Sequence, residues 1–247
     1  MKHNFGAGPG ILPRQAIEKS AQAILDLNGS GLSILEISHR SKDFDAILAQ
    51  TKSLVKDLLN VPDNYSILFL QGGASTQFSM VPMNLLPVGG KAAYVESGVW
   101  ASKAAKEAKL FGNVEIVSSS KDRNFCYVPT AYTIPADASY LHITSNNTIY
   151  GTQMASFPES KIPVVCDMSS DIFSRPVDVS KFDLIYAGAQ KNMGPAGTTL
   201  VVVKEEILGK SGRTIPNMLD YVQHIEKESM YNTPAVFPVY ASLLTLQ

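Results

Sequence analysis

Phe182–Gly197 reads FDLIYAGAQKNMGPAG: five apolar residues in the first six, then a single lysine, Lys191, set among Gly, Ala and Pro. An apolar run of this length without polar alternation is what a strand covered on both faces looks like. The Gly/Pro-rich segment after it marks the loop that leaves the strand. Six other runs have the same character or are rich in β-formers: YSILFL, KAAYVE, NVEIVS, YLHIT, IPVVCD and TTLVVVK. Between them lie helical or irregular segments, a rhythm that predicts an α/β domain with a mostly parallel seven-stranded sheet flanked by helices.

Two helical patterns precede the first strand. Pro13–Asn28 has Pro13 suited to a first turn and Asn28-Gly29 to a stop. In the second, Ser41 is placed to cap a helix whose apolar residues Phe44, Ile47, Leu48, Val55, Leu58 and Leu59 recur at helical spacing. No repeat, low-complexity tract or linker divides the 247 residues, so the sequence reads as one unit, 1–247.

Charged residues make up 17% of the chain and the formal net charge is −1, with no basic block, which removes the electrostatic case for a nucleic-acid partner. The charged share is below the roughly 25% of an average domain, a pointer to surface covered by a partner subunit. Cys126 and Cys166 are far apart and form no zinc or disulfide pattern, so no metal site is expected. The first residues lack the apolar core of a signal peptide, and no run nears the ~18 residues of a membrane span. A cytoplasmic protein is the expectation.

Five places invite chemistry. Gln71–Phe78, QGGASTQF, follows the strand YSILFL and opens a helical run, so its backbone N–H groups and the helix dipole suit a phosphate, with Ser75 or Thr76 adding a hydroxyl. It fits neither a dinucleotide fingerprint nor a P-loop, and taken alone an ordinary capped strand-to-helix turn is the plainer reading. Asp167 ends the strand IPVVCD, where ligands of open α/β sheets bind, although a helix cap or serine-bonded turn is the plainer use. Lys191 ends the next strand; in a partly dry pocket its pKa would fall and its amine could condense with an aldehyde, while on the surface it would be unremarkable. A lysine and an acid at successive strand ends are what pyridoxal phosphate chemistry needs. Trp100, the only tryptophan, could stack on a flat ring or simply fill the core. In SHRSKDF, His39 and Arg40 precede the capped helix, with Arg40 able to grip a carboxylate or phosphate, or to lie in solvent.

Taken together, NFGAGPGILP, EISHRSKDF, LLNVPDNYSILFLQGGASTQFSMVPMNLL, SNNTIYGT, DMSSDIFSRPVDVSKFDLIYAGAQKNMGPAG and MYNTP resemble the phosphoserine aminotransferase family of fold-type I pyridoxal phosphate enzymes, in that family's order and over nearly the whole chain. The resemblance implies that Lys191 is the catalytic Schiff-base lysine and that Asp167 pairs with the pyridine nitrogen. It further implies stacking by Trp100, a hydrogen bond from Thr148, and a phosphate held by Ala74, Ser75 and Gln190. Asn232 and Thr233 would reach the phosphate of a neighbouring subunit in a homodimer, and His39 and Arg40 would bind substrate anions.

The implied reaction moves the amino group of L-glutamate to 3-phosphohydroxypyruvate, in serine and possibly pyridoxine synthesis. Two departures stand out: Ser75 replaces an arginine found in some members, and the family normally continues for roughly a hundred residues beyond a point like Gln247, enough for a small domain. The expectation is therefore a cofactor-binding large domain with weak or no transamination. The rival reading is a catalytically impaired fragment that serves only as a fold or dimerisation module.

Overall fold

The computed structural model describes residues 3–247. The main sheet takes seven strands, all of them anticipated: β1 (Tyr65–Leu70), β2 (Lys91–Glu96), β3 (Asn113–Ser119), β4 (Leu141–Thr144), β7 (Val164–Asp167), β8 (Leu184–Gly188) and β9 (Thr199–Lys204). Between β4 and β7 a separate two-stranded hairpin is formed by β5 (Asn146–Asn147) and β6 (Thr152–Gln153). The helices are α1 (Arg14–Leu25), α2 (Lys42–Leu59), α3 (Gly73–Leu85), α4 (Val99–Ala108), α5 (Tyr221–Glu226) and α6 (Val236–Leu246).

Strand order is β1-β9-β8-β7-β4-β2-β3. Only β9 runs against its neighbours; the other pairings are parallel. The apolar runs are explained by what covers each face. Phe69, Ile143, Cys166, Ile185 and Val202 face a core shared with Ala23 of α1, Phe44 and Val55 of α2 and Val239 of α6. Their alternates Leu68, Tyr94, Val165, Tyr186 and Val201 face a second core with Phe78 and Val81 of α3, Ala104 and Ala108 of α4 and Tyr221 of α5. With both faces dry, period-two alternation disappears from the sequence.

Ser41 caps α2 as its position suggests, accepting from the Phe44 amide at 3.3 Å. The helix then stops at Asn60, which takes the left-handed conformation. Leu58 is the exception among its apolar positions and stays half exposed. Two boundaries of α1 differ from the sequence expectation. Pro13 is the cap rather than the first helical residue, and the helix ends at Leu25, with Asn28 and Gly29 forming a left-handed turn further on. The Asp26 carboxylate accepts from the Gly31 amide at 2.9 Å, so the turn after α1 has its own hydrogen bonding and the helix yields to it. No helix among the described residues is long and apolar enough to cross a membrane.

Candidate active site

Parallel pairing fixes which residues meet at the carboxyl edge of the sheet. In register, Thr144 at the end of β4 lies beside Asp167 at the end of β7, and Asp167 beside Tyr186 of β8. Lys191 follows β8 by three residues. A cavity of about 120 Å³ opens there, walled by Ala74, Ser75 and Phe78 of α3, Trp100 of α4, Thr144, Thr148, Asp167, Gln190 and Lys191, among others. A larger cleft of about 520 Å³ lies between α1, α2 and α6, but the charges it offers are Lys19, Asp26 and Asp43, none of them buried. Chemistry, not volume, marks the small cavity.

The Lys191 ammonium donates to Thr148 Oγ1 at 2.5 Å and lies 5.6 Å from the centre of the Trp100 ring. Burial pulls its pKa below the ordinary lysine value, and the Asp167 carboxylate partly restores it. Asp167 is 4% exposed. Burial raises its pKa, opposed by the bonds it receives from Ser169, whose amide donates to Oδ1 at 2.9 Å, and by the charge of Lys191. So the serine-bonded turn and the cavity wall are one feature: Asp167 serves as both.

Glycines bring the backbone against these groups. The Gly10 amide donates to the Gln190 carbonyl at 2.8 Å, and a Cβ on Gly10 would sit 2.1 Å from the Lys191 carbonyl oxygen. A Cβ on Gly8 would meet Lys191 Cγ at 3.0 Å. The segment NFGAGPG therefore lies along the lysine stem. At the other side Gly72 takes φ 90° before α3, and its carbonyl accepts the Thr76 hydroxyl at 3.0 Å. Thr76 is thus committed to the backbone, which leaves Ser75 as the hydroxyl facing the cavity.

The donor set fits a flat, phosphorylated ring. Among the described residues no side chain caps α3, so the first-turn N–H groups around Ala74 and Ser75 are open to an anion. Trp100 Nε1 and Thr144 Oγ1 are buried at the cavity without a hydrogen-bond partner among the described residues, which is where a bound group would supply one.

The sequence reading brought Ala74, Ser75, Trp100, Thr148, Asp167, Gln190 and Lys191 to this place, and all seven line it. Asn232 and Thr233 do not line the cavity of their own chain. They hold Gln71 from outside: Gln71 Nε2 donates to the Thr233 carbonyl at 2.6 Å and Asn232 Nδ2 donates to Gln71 Oε1 at 3.1 Å. His39 and Arg40, just ahead of α2, are likewise absent from its wall. Thr144, Asn146, Ser169 and Ser170 also line it and were not among the site residues read from the sequence. Among the described residues, no cluster of three or more His, Cys, Asp or Glu side chains could hold a metal ion.

Comparison with known proteins gives this geometry a family. The family described as aminotransferase class-V matches residues 3–247. A phosphoserine aminotransferase of Flavobacterium johnsoniae is 68% identical over 247 residues, which are 100% of this chain and 69% of that relative. The chain belongs to the phosphoserine aminotransferase family of class-V aminotransferases. Solved members of that family agree in fold. The phosphoserine aminotransferase of Bacillus circulans subsp. alkalophilus is 44% identical with a TM-score of 0.95, covering 98% of this chain and 68% of its own. A pyridoxal phosphate-bound phosphoserine aminotransferase from Trichomonas vaginalis is 33% identical with a TM-score of 0.94, covering 100% of this chain and 74% of its own. The chain thus spans about 69% of the length of the curated relative it matches at 68% identity.

Proposed function

We propose that this chain carries the pyridoxal phosphate site of a phosphoserine aminotransferase, which transfers the amino group of L-glutamate to 3-phosphohydroxypyruvate and yields 2-oxoglutarate and O-phospho-L-serine. The observation that carries the reading is the convergence of Lys191, Thr148, Asp167 and Trp100 on one cavity in a chain of this family. Residues 1–247 then make up an N-terminal segment and the cofactor-binding large domain. Pyridoxal phosphate, when bound, supplies an aldehyde for an amine to condense with and a ring that delocalises negative charge from the substrate α-carbon.

The residues supply the rest. Lys191, its pKa lowered by burial, offers the amine and moves the proton at the substrate α-carbon. Asp167 would pair with the ring nitrogen of the bound cofactor and keep its proton, and Trp100 would stack on the ring. Ala74 and Ser75 at the start of α3, with Gln190, would hold the phosphate. Thr148 holds the lysine by its hydrogen bond and would also bond the ring.

His39 and Arg40 bind substrate anions, and Asn232 and Thr233 complete the phosphate site of a second copy in a cytoplasmic homodimer. The reading of the chain as a fold or dimerisation module without chemistry is not favoured, because the cavity keeps its titratable groups and family relatives carry the enzyme's name.

Stoichiometric release of 2-oxoglutarate from L-glutamate by the cofactor-loaded chain, followed by formation of O-phosphoserine on addition of 3-phosphohydroxypyruvate, is the direct test. Failure of the loaded chain to release any 2-oxoglutarate would overturn the assignment of transamination to these residues.

A further inference from the structure

One buried carboxylate has no part in the scheme above. Asp171 is 4% exposed and lies four residues beyond Asp167 in the same turn. Its Oδ1 accepts the hydroxyl of Ser145, which follows β4 and also reaches the Asp167 carbonyl at 3.1 Å. Its Oδ2 accepts from Gln153 Nε2 of β6 at 3.1 Å and lies 3.7 Å from the Arg175 guanidinium. Arg175 in turn donates to the Met154 carbonyl at 2.5 Å.

These partners flank one structure, the hairpin of β5 and β6. Thr148 sits at its turn, between Asn147 and Thr152, and hydrogen-bonds Lys191. A second stitch joins the same two segments: Asn146 Nδ2 donates to Ser170 Oγ at 2.8 Å, and Ser170 Oγ donates to the Asn146 carbonyl at 3.0 Å. The hairpin that delivers Thr148 and the turn that delivers Asp167 are thus tied together, and Asp171 is the member that holds both flanks of the hairpin, Ser145 and Gln153.

We propose that Asp171 is a positioning residue of the site: by clamping Ser145 and Gln153 to the turn after β7, its carboxylate fixes Thr148 and Asp167 relative to one another around Lys191. A carboxylate suits the task, since its two oxygens accept from two segments at once and gain strength from the nearby guanidinium. The proposal rests on the cofactor reading above for its functional meaning, but the clamp itself is a property of the chain and can be read without cofactor.

Two substitutions test it. Asp171→Asn removes the charge and one acceptor; Gln153→Met, at an exposed position, cuts one arm of the clamp without disturbing the buried carboxylate and is the safe variant if the first fails to fold. Amide hydrogen exchange in the chain without cofactor reads the clamp directly, with faster exchange expected over residues 146–152 and the strands β1, β8 and β9 unchanged. Unchanged exchange over 146–152 in Gln153→Met overturns the clamp, whatever the cofactor does.

Quenching of Trp100, the chain's only tryptophan, reads pyridoxal phosphate affinity. Asp171→Asn is expected to weaken binding about tenfold, and Gln153→Met about threefold, when Thr148 is present. In a Thr148→Val background each effect should shrink below about twofold, because the positioned group is gone. Equal factors in both backgrounds, or a lowered melting temperature with unaltered affinity, would mean a purely structural role. If the unaltered chain takes up no pyridoxal phosphate at Lys191, the cofactor reading fails by itself, and the exchange data still decide the clamp.

Discussion

Lys191 donates to Thr148 across 43 residues of chain, and through that bond the loop after β8 is joined to the hairpin after β4. The ammonium is half buried at this point, with the Trp100 ring near it and the charge of Asp167 acting on it. Desolvation outweighs the attraction to the carboxylate, so the site holds a lysine readier to lose its proton than one in water.

That imbalance has a stability cost whose pH dependence can be stated. The folded pKa of Lys191 lies below 10.5, so the folded chain releases this proton before the unfolded one does. The cost is fully present below the folded pKa and fades as pH rises to 10.5. Lys191→Met should therefore raise the melting temperature at pH 7, by about 2–4 °C for each kcal/mol relieved, with the gain narrowing toward pH 10.5. A melting temperature that drops at pH 7 would contradict this.

His142 provides a separate acid-side signal. It is buried, stacks on Tyr94 with centroids 4.7 Å apart, and meets the Tyr186 hydroxyl at 2.8 Å through Nε2. Burial lowers its pKa to about 3, so the folded chain keeps it neutral where the unfolded chain takes up a proton. Its contribution is complete above pH 6.5 and is lost as pH falls toward 3, at up to about 1.4 kcal/mol per pH unit. Denaturant titrations of the chain and of His142→Gln between pH 7 and pH 4.5 should show the shallower slope in the variant; equal slopes would refute the assignment.

Gly10→Ala tests the glycine segment over the lysine. The added methyl would lie 2.1 Å from the Lys191 carbonyl oxygen, a backbone atom with little room to yield, so the segment must lift and lose the Gly10–Gln190 hydrogen bond. A loss of about 1–3 kcal/mol is expected by analogy with overpacked cores, together with faster labelling of Lys191 by an amine reagent. Unchanged labelling would show that the segment does not shield the lysine.

Ser41→Ala removes the hydroxyl that caps α2. The helix packs Phe44 and Val55 into the core, so its start is coupled to folding of the whole. About 1 kcal/mol should be lost, seen as a melting temperature lower by about 2–4 °C.

The sequence was informative where one residue type has one use. Seven apolar runs read as strands because both faces of the sheet are covered, Lys191 and Asp167 stood out as a lysine and an acid at successive strand ends, and Trp100 stood out as the only tryptophan. Thr144, Ser169 and Asp171 gave no such sign. A serine, a threonine or an aspartate after a strand is an ordinary turn residue, and only the register of β4 against β7 puts Thr144 beside Asp167. The same applies to Gly8 and Gly10, whose spacing says nothing of the lysine 181 residues beyond Gly10 that they pack against. His142 and Tyr186 were hidden by their strands, since a polar atom in an apolar run finds its partner only across the sheet.

The central claim is that Lys191 is the amine that takes up pyridoxal phosphate. Adding the cofactor to the purified chain, reducing with borohydride and mapping the modified peptide measures this directly. The account predicts a single reduced adduct on Lys191, abolished in Lys191→Met. Adducts scattered over surface lysines, or an adduct that survives in Lys191→Met, would contradict it.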